Sequence, residues 1–296
     1  MSNLLYQIHG QERDIGFPVR RLLPAAVART VGPFVFFDHM GPARFAPSST
    51  EGDVRPHPHI GLATVTYLYS GAFVHRDSLG NVQRIVPGDI NWMAAGRGIV
   101  HSERVPDDVR AAGAAVQGLQ MWVALPVSGE LGEAGAPWFR HYASTDLPVV
   151  DMPGSRIRVL IGSAFSATSP VLTASPTLYA AIDMDGGARM TLPADQPERG
   201  LYVVRGTVSL DAEAMPAGTL AVLRPGAAVE LSTDAPASAM LLGGAPLDGP
   251  RFVWWNFVSS SKAAIEAAKL AWAGRRLDIF PDVPGDEAEC IPLPQR

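Results

Sequence analysis

Cysteine is nearly absent from this chain. The one present, Cys290, excludes an intrachain disulfide and a thiolate metal cluster, and nothing near it in sequence marks it as reactive. Lysine is almost as rare, at 262 and 269 only, so arginine carries the remaining positive charge. Acidic residues outnumber basic ones 29 to 24, a formal net charge of −5, which argues against a broad nucleic-acid footprint. No apolar run approaches the ~20 residues of a spanning helix, and the N-terminus lacks a basic-then-apolar signal pattern. These absences point to a cytoplasmic enzyme or binding protein with no membrane and no direct nucleic-acid partner.

Histidine is confined to the first half: seven occur, none after His141. Two of them open a stretch and one closes it. Pro56-His57-Pro58-His59 begins it, and His101-Ser102-Glu103 ends it. On a β-strand, side chains at i and i+2 share a face. His57 and His59 can therefore face one way from one strand, and His101 and Glu103 from another. If the two strands are neighbours in a barrel, three imidazoles and a carboxylate converge. That borderline N/O set suits one divalent ion such as Fe(II), Mn(II), Ni(II), Cu(II) or Zn(II), and is too nitrogen-rich for Mg or Ca. A single His-x-His is more often two ordinary strand histidines; two same-face pairs, each beside a turn, favour a metal site. Free histidine titrates near pH ~6.5, so metal affinity is expected to fall below about that pH.

The surrounding sequence reads as short strands joined by tight turns. Leu62 to Tyr69 is rich in β-branched and aromatic residues and ends at Ser70-Gly71. Val86-Pro87-Gly88-Asp89 and Gly96-Arg97-Gly98 are turn signals. With 29 glycines, 26 prolines and 47% hydrophobic residues, the composition predicts an all-β chain with a substantial core. Residues 42–56 and 104–113 read as loops, and Pro126 to Pro137 as a linker-like stretch. Gln120 and Trp122, on a strand over 116–125, are candidates to line the pocket. His39 could be an extra ligand, but reads better as a structural histidine.

An internal repeat follows. Tyr202 to Val208 around Gly206 echoes Tyr67 to Phe73 around Gly71, and Pro216-Ala217-Gly218 echoes Val86-Pro87-Gly88. The second copy has apolar positions near Leu192 and Ala194 in place of the His-x-His, and Ala227-Ala228-Val229-Glu230-Leu231 in place of His101 and Glu103. It cannot build the same site. The expected architecture is two tandem jelly-roll-like β-barrels: an N-terminal metal-binding barrel over 1–142, and a metal-free barrel over 143–296 that includes a C-terminal helix and tail. The helix is predicted within 259–276, with a serine cap, Ile265, Ala268 and Trp272 on one face, and Gly274 at its end. The acidic tail reads as a solvated wrap.

His57-x-His59, Pro87-Gly88-Asp89 and Trp92-Met93-x-Ala95-Gly96-Arg97-Gly98-Ile99-x-His101-x-Glu103 together resemble the pirins, a branch of the cupin superfamily. The likeness extends to Phe37-Asp38-His39-Met40-Gly41-Pro42 and to Trp255-Asn256-Phe257-Val258-Ser259-Ser260-Ser261-Lys262. It implies a bicupin holding Fe(II), and a quercetin 2,3-dioxygenase-like oxidoreductase acting on a flavonol and O2. His57, His59, His101 and Glu103 would hold the metal, and Glu103 would also serve as general base. The family also implies an alternative of another class: a metal- or redox-sensing regulator that binds protein partners, as a transcriptional coregulator or a regulator of a metabolic enzyme. One position departs from the cupin pattern. Four residues after His59, where many cupins carry Glu, stands Ala63, expected on a regular strand to face the pocket.

Overall fold

A computed structural model describes residues 2–130 and 135–295. Strands dominate, and the helices are Asp107–Ala111, Val127–Glu130 and Lys262–Ala273. None is long and apolar enough to cross a membrane. The chain forms two compact units, each a cupin barrel of paired sheets.

The repeat is visible in the pairing order. In one unit a four-stranded sheet runs Val54–His59, Ile99–Arg104, Phe73–Asp77, Val82–Ile85. In the other, the same order recurs as Arg189–Leu192, Val229–Ser232, Thr207–Leu210, Glu213–Pro216. The opposing sheets match too. Ile90–Ala94, Leu62–Ser70 and Val116–Ala124 are adjacent in the first, and Thr219–Leu223, Glu198–Arg205 and Ala237–Gly244 in the second.

The units are not cut at one point in the chain. One comprises Met1–Glu12, Arg20–Phe37 and Thr145–Pro246; the other comprises Arg13–Val19, Asp38–Ser144 and Leu247–Arg296. This differs from a contiguous 1–142 and 143–296 split in two ways. The N-terminal strand Leu4–His9 pairs antiparallel with Thr219–Leu223 in the unit built mainly from the second half. There it occupies the edge that Trp138–Tyr142 covers in the first copy, beside Ile90–Ala94. An uncovered edge strand is a liability, and this pairing closes it. The C-terminal helix and tail, in turn, belong to the histidine-bearing unit.

The barrel without the histidine triad is filled with apolar side chains. Leu192, Val229 and Leu231, at the positions equivalent to the site, are buried in a core with Leu178, Ile182, Leu201 and Leu241. The C-terminal helix begins one residue after its cap: Ser261 Oγ accepts from Ala264 N at 3.3 Å. Ile265, Ala268, Ala271 and Trp272 are its buried face. The left-handed residue beyond it is Arg275 (φ 52°); Gly274 has φ −85°. The tail is anchored and not merely solvated. Asp286 accepts from Ser102 Oγ at 2.6 Å and pairs with Arg104 at 2.7 Å, Ile291 N donates to the Pro56 carbonyl, and Phe280 and Val283 are buried. Within the 104–113 loop lies the five-residue helix Asp107–Ala111, and Val127–Glu130 starts the Pro126–Pro137 stretch with a helical turn. Residues 131–134 of that stretch lie outside the described residues.

Candidate metal centre

Val54–His59 and Ile99–Arg104 are antiparallel neighbours with His101 directly opposite His57 and Ile99 opposite His59. Residues directly opposite in a ladder share a face, so the three histidines converge. Their rings lie 4.3 to 5.0 Å apart, centroid to centroid. One nitrogen from each can be chosen so that all lie within 4.8 Å of one another. The delivery depends on two glycines. Gly61 (φ 65°) turns the chain out of the His-x-His strand, and a Cβ there would lie 2.0 Å from the Val258 carbonyl oxygen. Its amide donates to the carbonyl of Gly96 (φ 51°), which starts the turn leading to His101.

Each ring is oriented by its other nitrogen. His57 Nδ1 lies 2.9 Å from the Arg55 carbonyl oxygen, and His59 Nδ1 lies 3.0 Å from that of Asn256. A carbonyl only accepts, so both Nδ1 atoms carry the hydrogen and both Nε2 atoms present lone pairs. This gives the Trp255 to Lys262 motif its purpose. Its Asn256 carbonyl aims His59, while Ser259 and Ser260 anchor the segment on the buried Glu130 carboxylate. Burial is the main cause that lowers the pKa of all three histidines: His57 to about 4, His59 and His101 well below the usual 6.5. The triad is therefore neutral at physiological pH, the state a metal requires.

The donor set fits a transition ion. His59 Nε2 and His101 Nε2 face each other at 3.1 Å. Two bonds of about 2.1 Å meeting at a right angle put their nitrogens about 3 Å apart. His57, His59 and His101 could thus hold one metal ion.

Glu103 is placed differently. A register irregularity puts it opposite Val54, where a regular ladder would have Arg55. Its carboxylate lies outside the group of three nitrogens and accepts from Thr66 Oγ1 at 3.3 Å. The same hydroxyl donates to Gln120 Oε1 at 2.8 Å. One hydroxyl hydrogen serving two acceptors holds Glu103 loosely. Burial raises the Glu103 pKa, against the opposing effects of His75 and the Thr66 hydrogen bond. Gln120 and Trp122 both face this interior, the Trp122 ring standing edge-on to His59 at 5.3 Å. His39 is buried and paired with Gln117 at 3.0 Å, away from the triad.

Ala63 corrects an expectation. Thr66 points at the site, and side chains alternate along Leu62–Ser70, so Thr64 shares its face and Ala63 lies on the other. The left-handed Gly61 separates His59 from that strand, so alternation does not carry across. Two residues escaped the sequence reading altogether. Phe73–Asp77 pairs with Ile99–Arg104 so that Asp77 opposes His101 and His75 opposes Glu103. His75-Arg76-Asp77 is a third i,i+2 polar pair, a signal of the same kind as the two that were read.

A cupin barrel with three convergent neutral histidines that could hold one metal ion, in a chain with a second cupin copy, defines a duplicated cupin with a candidate metal site. The family models described as "Pirin" and "Pirin C-terminal cupin domain" match residues 16–123 and 179–278. A pirin-like protein of Caulobacter vibrioides is 44% identical over 287 residues, covering 96% of this chain and 97% of the relative. The chain belongs to the pirin family. A Pseudomonas aeruginosa protein, provisionally named quercetin 2,3-dioxygenase, is 39% identical over 275 residues, 92% of this chain and 84% of its own. The crystal structure of a quercetin 2,3-dioxygenase from Acinetobacter baumannii superposes with a TM-score of 0.89 at 30% identity, covering 99% of this chain and 96% of that one.

Proposed function

We propose that this pirin is a metal-dependent dioxygenase of flavonols such as quercetin, with Fe(II) in the N-terminal site. The observation that carries the reading is the neutral triad beside a loosely held carboxylate on the strand of His101. His57, His59 and His101 would hold the metal, and Glu103 would supply a fourth ligand. A redox-active ion so bound supplies activation of O2 and an electrophilic anchor for the flavonol 3-hydroxyl. The protein's own part is to receive the proton of that hydroxyl. Burial makes the Glu103 carboxylate more basic than usual, which suits a general base working near neutral pH. The Thr66 hydroxyl, shared with Gln120, holds that carboxylate facing the interior without fixing it there. Trp122 and Phe139, which stacks on His75 at 4.3 Å, give the interior flat apolar faces suited to an aromatic substrate. The names of the Pseudomonas and Acinetobacter relatives support the same substrate class.

The test is oxygen uptake by anaerobically Fe(II)-loaded protein on addition of quercetin. The reading expects flavonol-dependent uptake that His101→Ala abolishes. No uptake with any flavonol from protein carrying one iron per chain would remove it.

A further inference from the structure

The site contains a buried dyad to which the proposed reaction gives no task. Asp77 is fully buried and His75 nearly so. Asp77 Oδ1 accepts from Leu79 N at 2.9 Å, Asn81 N at 3.1 Å and Asn81 Nδ2 at 3.0 Å. Its Oδ2 takes Asn81 Nδ2 at 2.9 Å and faces His75 Nε2 at 3.1 Å. On its other side His75 presents Nδ1 to His101 Nδ1 at 3.4 Å. Phe139 stacks on the His75 ring at an interplanar angle of 11° and holds its plane.

With the His75 ring neutral, the hydrogens along this line are fixed. A carboxylate only accepts, so His75 Nε2 carries a hydrogen and, in the neutral ring, His75 Nδ1 is an acceptor. The atom facing it, His101 Nδ1, must then be the donor. That leaves His101 Nε2 without hydrogen, aimed at His59 Nε2, which is also without hydrogen because His59 Nδ1 donates to Asn256. Two lone pairs facing each other at 3.1 Å repel, and a cation between them removes the repulsion. The opposite tautomer of His101 would let Nε2–H donate to His59 and close the site with a hydrogen bond. His57 and His59 are oriented by backbone carbonyls, whereas among the described residues the partner facing His101 Nδ1 is the His75 side chain.

We propose that Asp77 and His75 are positioning residues which force the metal-receptive tautomer of His101, keeping the triad open for a cation instead of self-paired. The proposal rests on the reading of the triad as a metal site, but the tautomer itself can be measured without metal.

Nitrogen-15 imidazole spectra of the metal-free protein assign the His101 hydrogen. It is expected on Nδ1 in the wild type. In Asp77→Asn the three donors at Oδ1 retain the amide oxygen, so the amide nitrogen takes the Oδ2 position and donates to His75. The line inverts, and the His101 hydrogen moves to Nε2. Ni(II) affinity by chelator competition should fall 10- to 100-fold, the usual range for losing such an outer partner. Asp77 also holds the 77–81 turn, so His75→Leu reads the line without disturbing that turn. It should lose affinity similarly, while His75→Asn, whose amide oxygen can accept near the Nδ1 position, should recover part of the loss. A wild-type His101 hydrogen on Nε2, or unchanged Ni(II) affinity in both Asp77→Asn and His75→Leu, overturns the proposal. A wild-type hydrogen on Nδ1 in a chain that binds no divalent ion would support the line and remove the metal reading instead.

Discussion

His101 stands directly across from His57 in the antiparallel ladder, ring centroids 4.3 Å apart, although 43 residues separate them along the chain. The site depends on that register. Purified protein is expected to hold one divalent ion per chain, and His101→Ala to hold little or none. Elemental analysis with two ions per chain, or full occupancy in His101→Ala, would contradict the single triad.

Glu103→Gln should separate ligand from base. The amide keeps the shape and a coordinating oxygen but cannot take the flavonol proton. Part of the metal should remain, while turnover falls at least ~100-fold, general-base assistance being typically worth ~10²–10⁴-fold. Near-normal turnover at normal metal content would relieve Glu103 of the role.

Ala63→Glu should act on folding and not on the site. Ala63 is fully buried on the face of its strand away from Thr66, and a carboxylate there has no partner. The expected loss is several kcal/mol of stability, read by chemical denaturation. A stable Ala63→Glu protein with altered metal affinity would place that side chain in the site after all.

The metal-free protein should lose stability as pH falls from about 6.5. The triad's folded pKa values lie below the unfolded value, with His57 at about 4. The unfolded chain therefore binds more protons between those limits. The stabilisation is complete above about pH 6.5 and is lost toward pH 4. For His57 alone the shift corresponds to something on the order of 3 kcal/mol. Thermal melts between about pH 6.5 and 5, where few ordinary carboxylates titrate, should slope downward, and His57→Gln should slope less. The same shift moves the onset of proton competition with metal below the pH ~6.5 expected for free histidine.

Glu130→Ala should weaken both fold and site. Its carboxylate accepts from Ser259 Oγ, Ser260 N and Ser260 Oγ, with Arg251 Nε 2.7 Å away. Arg251 keeps Asp248 and the Leu125 carbonyl, so losing the buried carboxylate costs roughly 1–3 kcal/mol. The freed segment carries the Asn256 carbonyl, so metal affinity should fall with stability. Unchanged affinity would mean that His59 keeps its orientation without this anchor.

The all-β class, the duplicated barrel, the serine-capped helix and the candidate ligands were legible because each rests on local rules. Alternation along a strand puts His57 with His59 whatever their neighbours, and a turn needing φ > 0 shows itself as glycine. The absence of histidine after 141 already placed the candidate ligands in the first copy. Ala63 shows where such rules stop: alternation holds within a strand, and one left-handed glycine ends it.

Which strands lie side by side is settled at the level of the whole fold. Strand order is set by burial and edge closure across the chain, and no local pattern records it. Hence the N-terminal strand appears on the second-half barrel, Glu103 is shifted toward Thr66 by an irregular register, and the acidic tail is pinned to Arg104. Hence also His75 and Asp77, an ordinary pair in sequence, stand behind His101. Residue types and their spacing show which groups can bind a metal, and the pairing of strands brings His57, His59 and His101 together and leaves Glu103 outside the three.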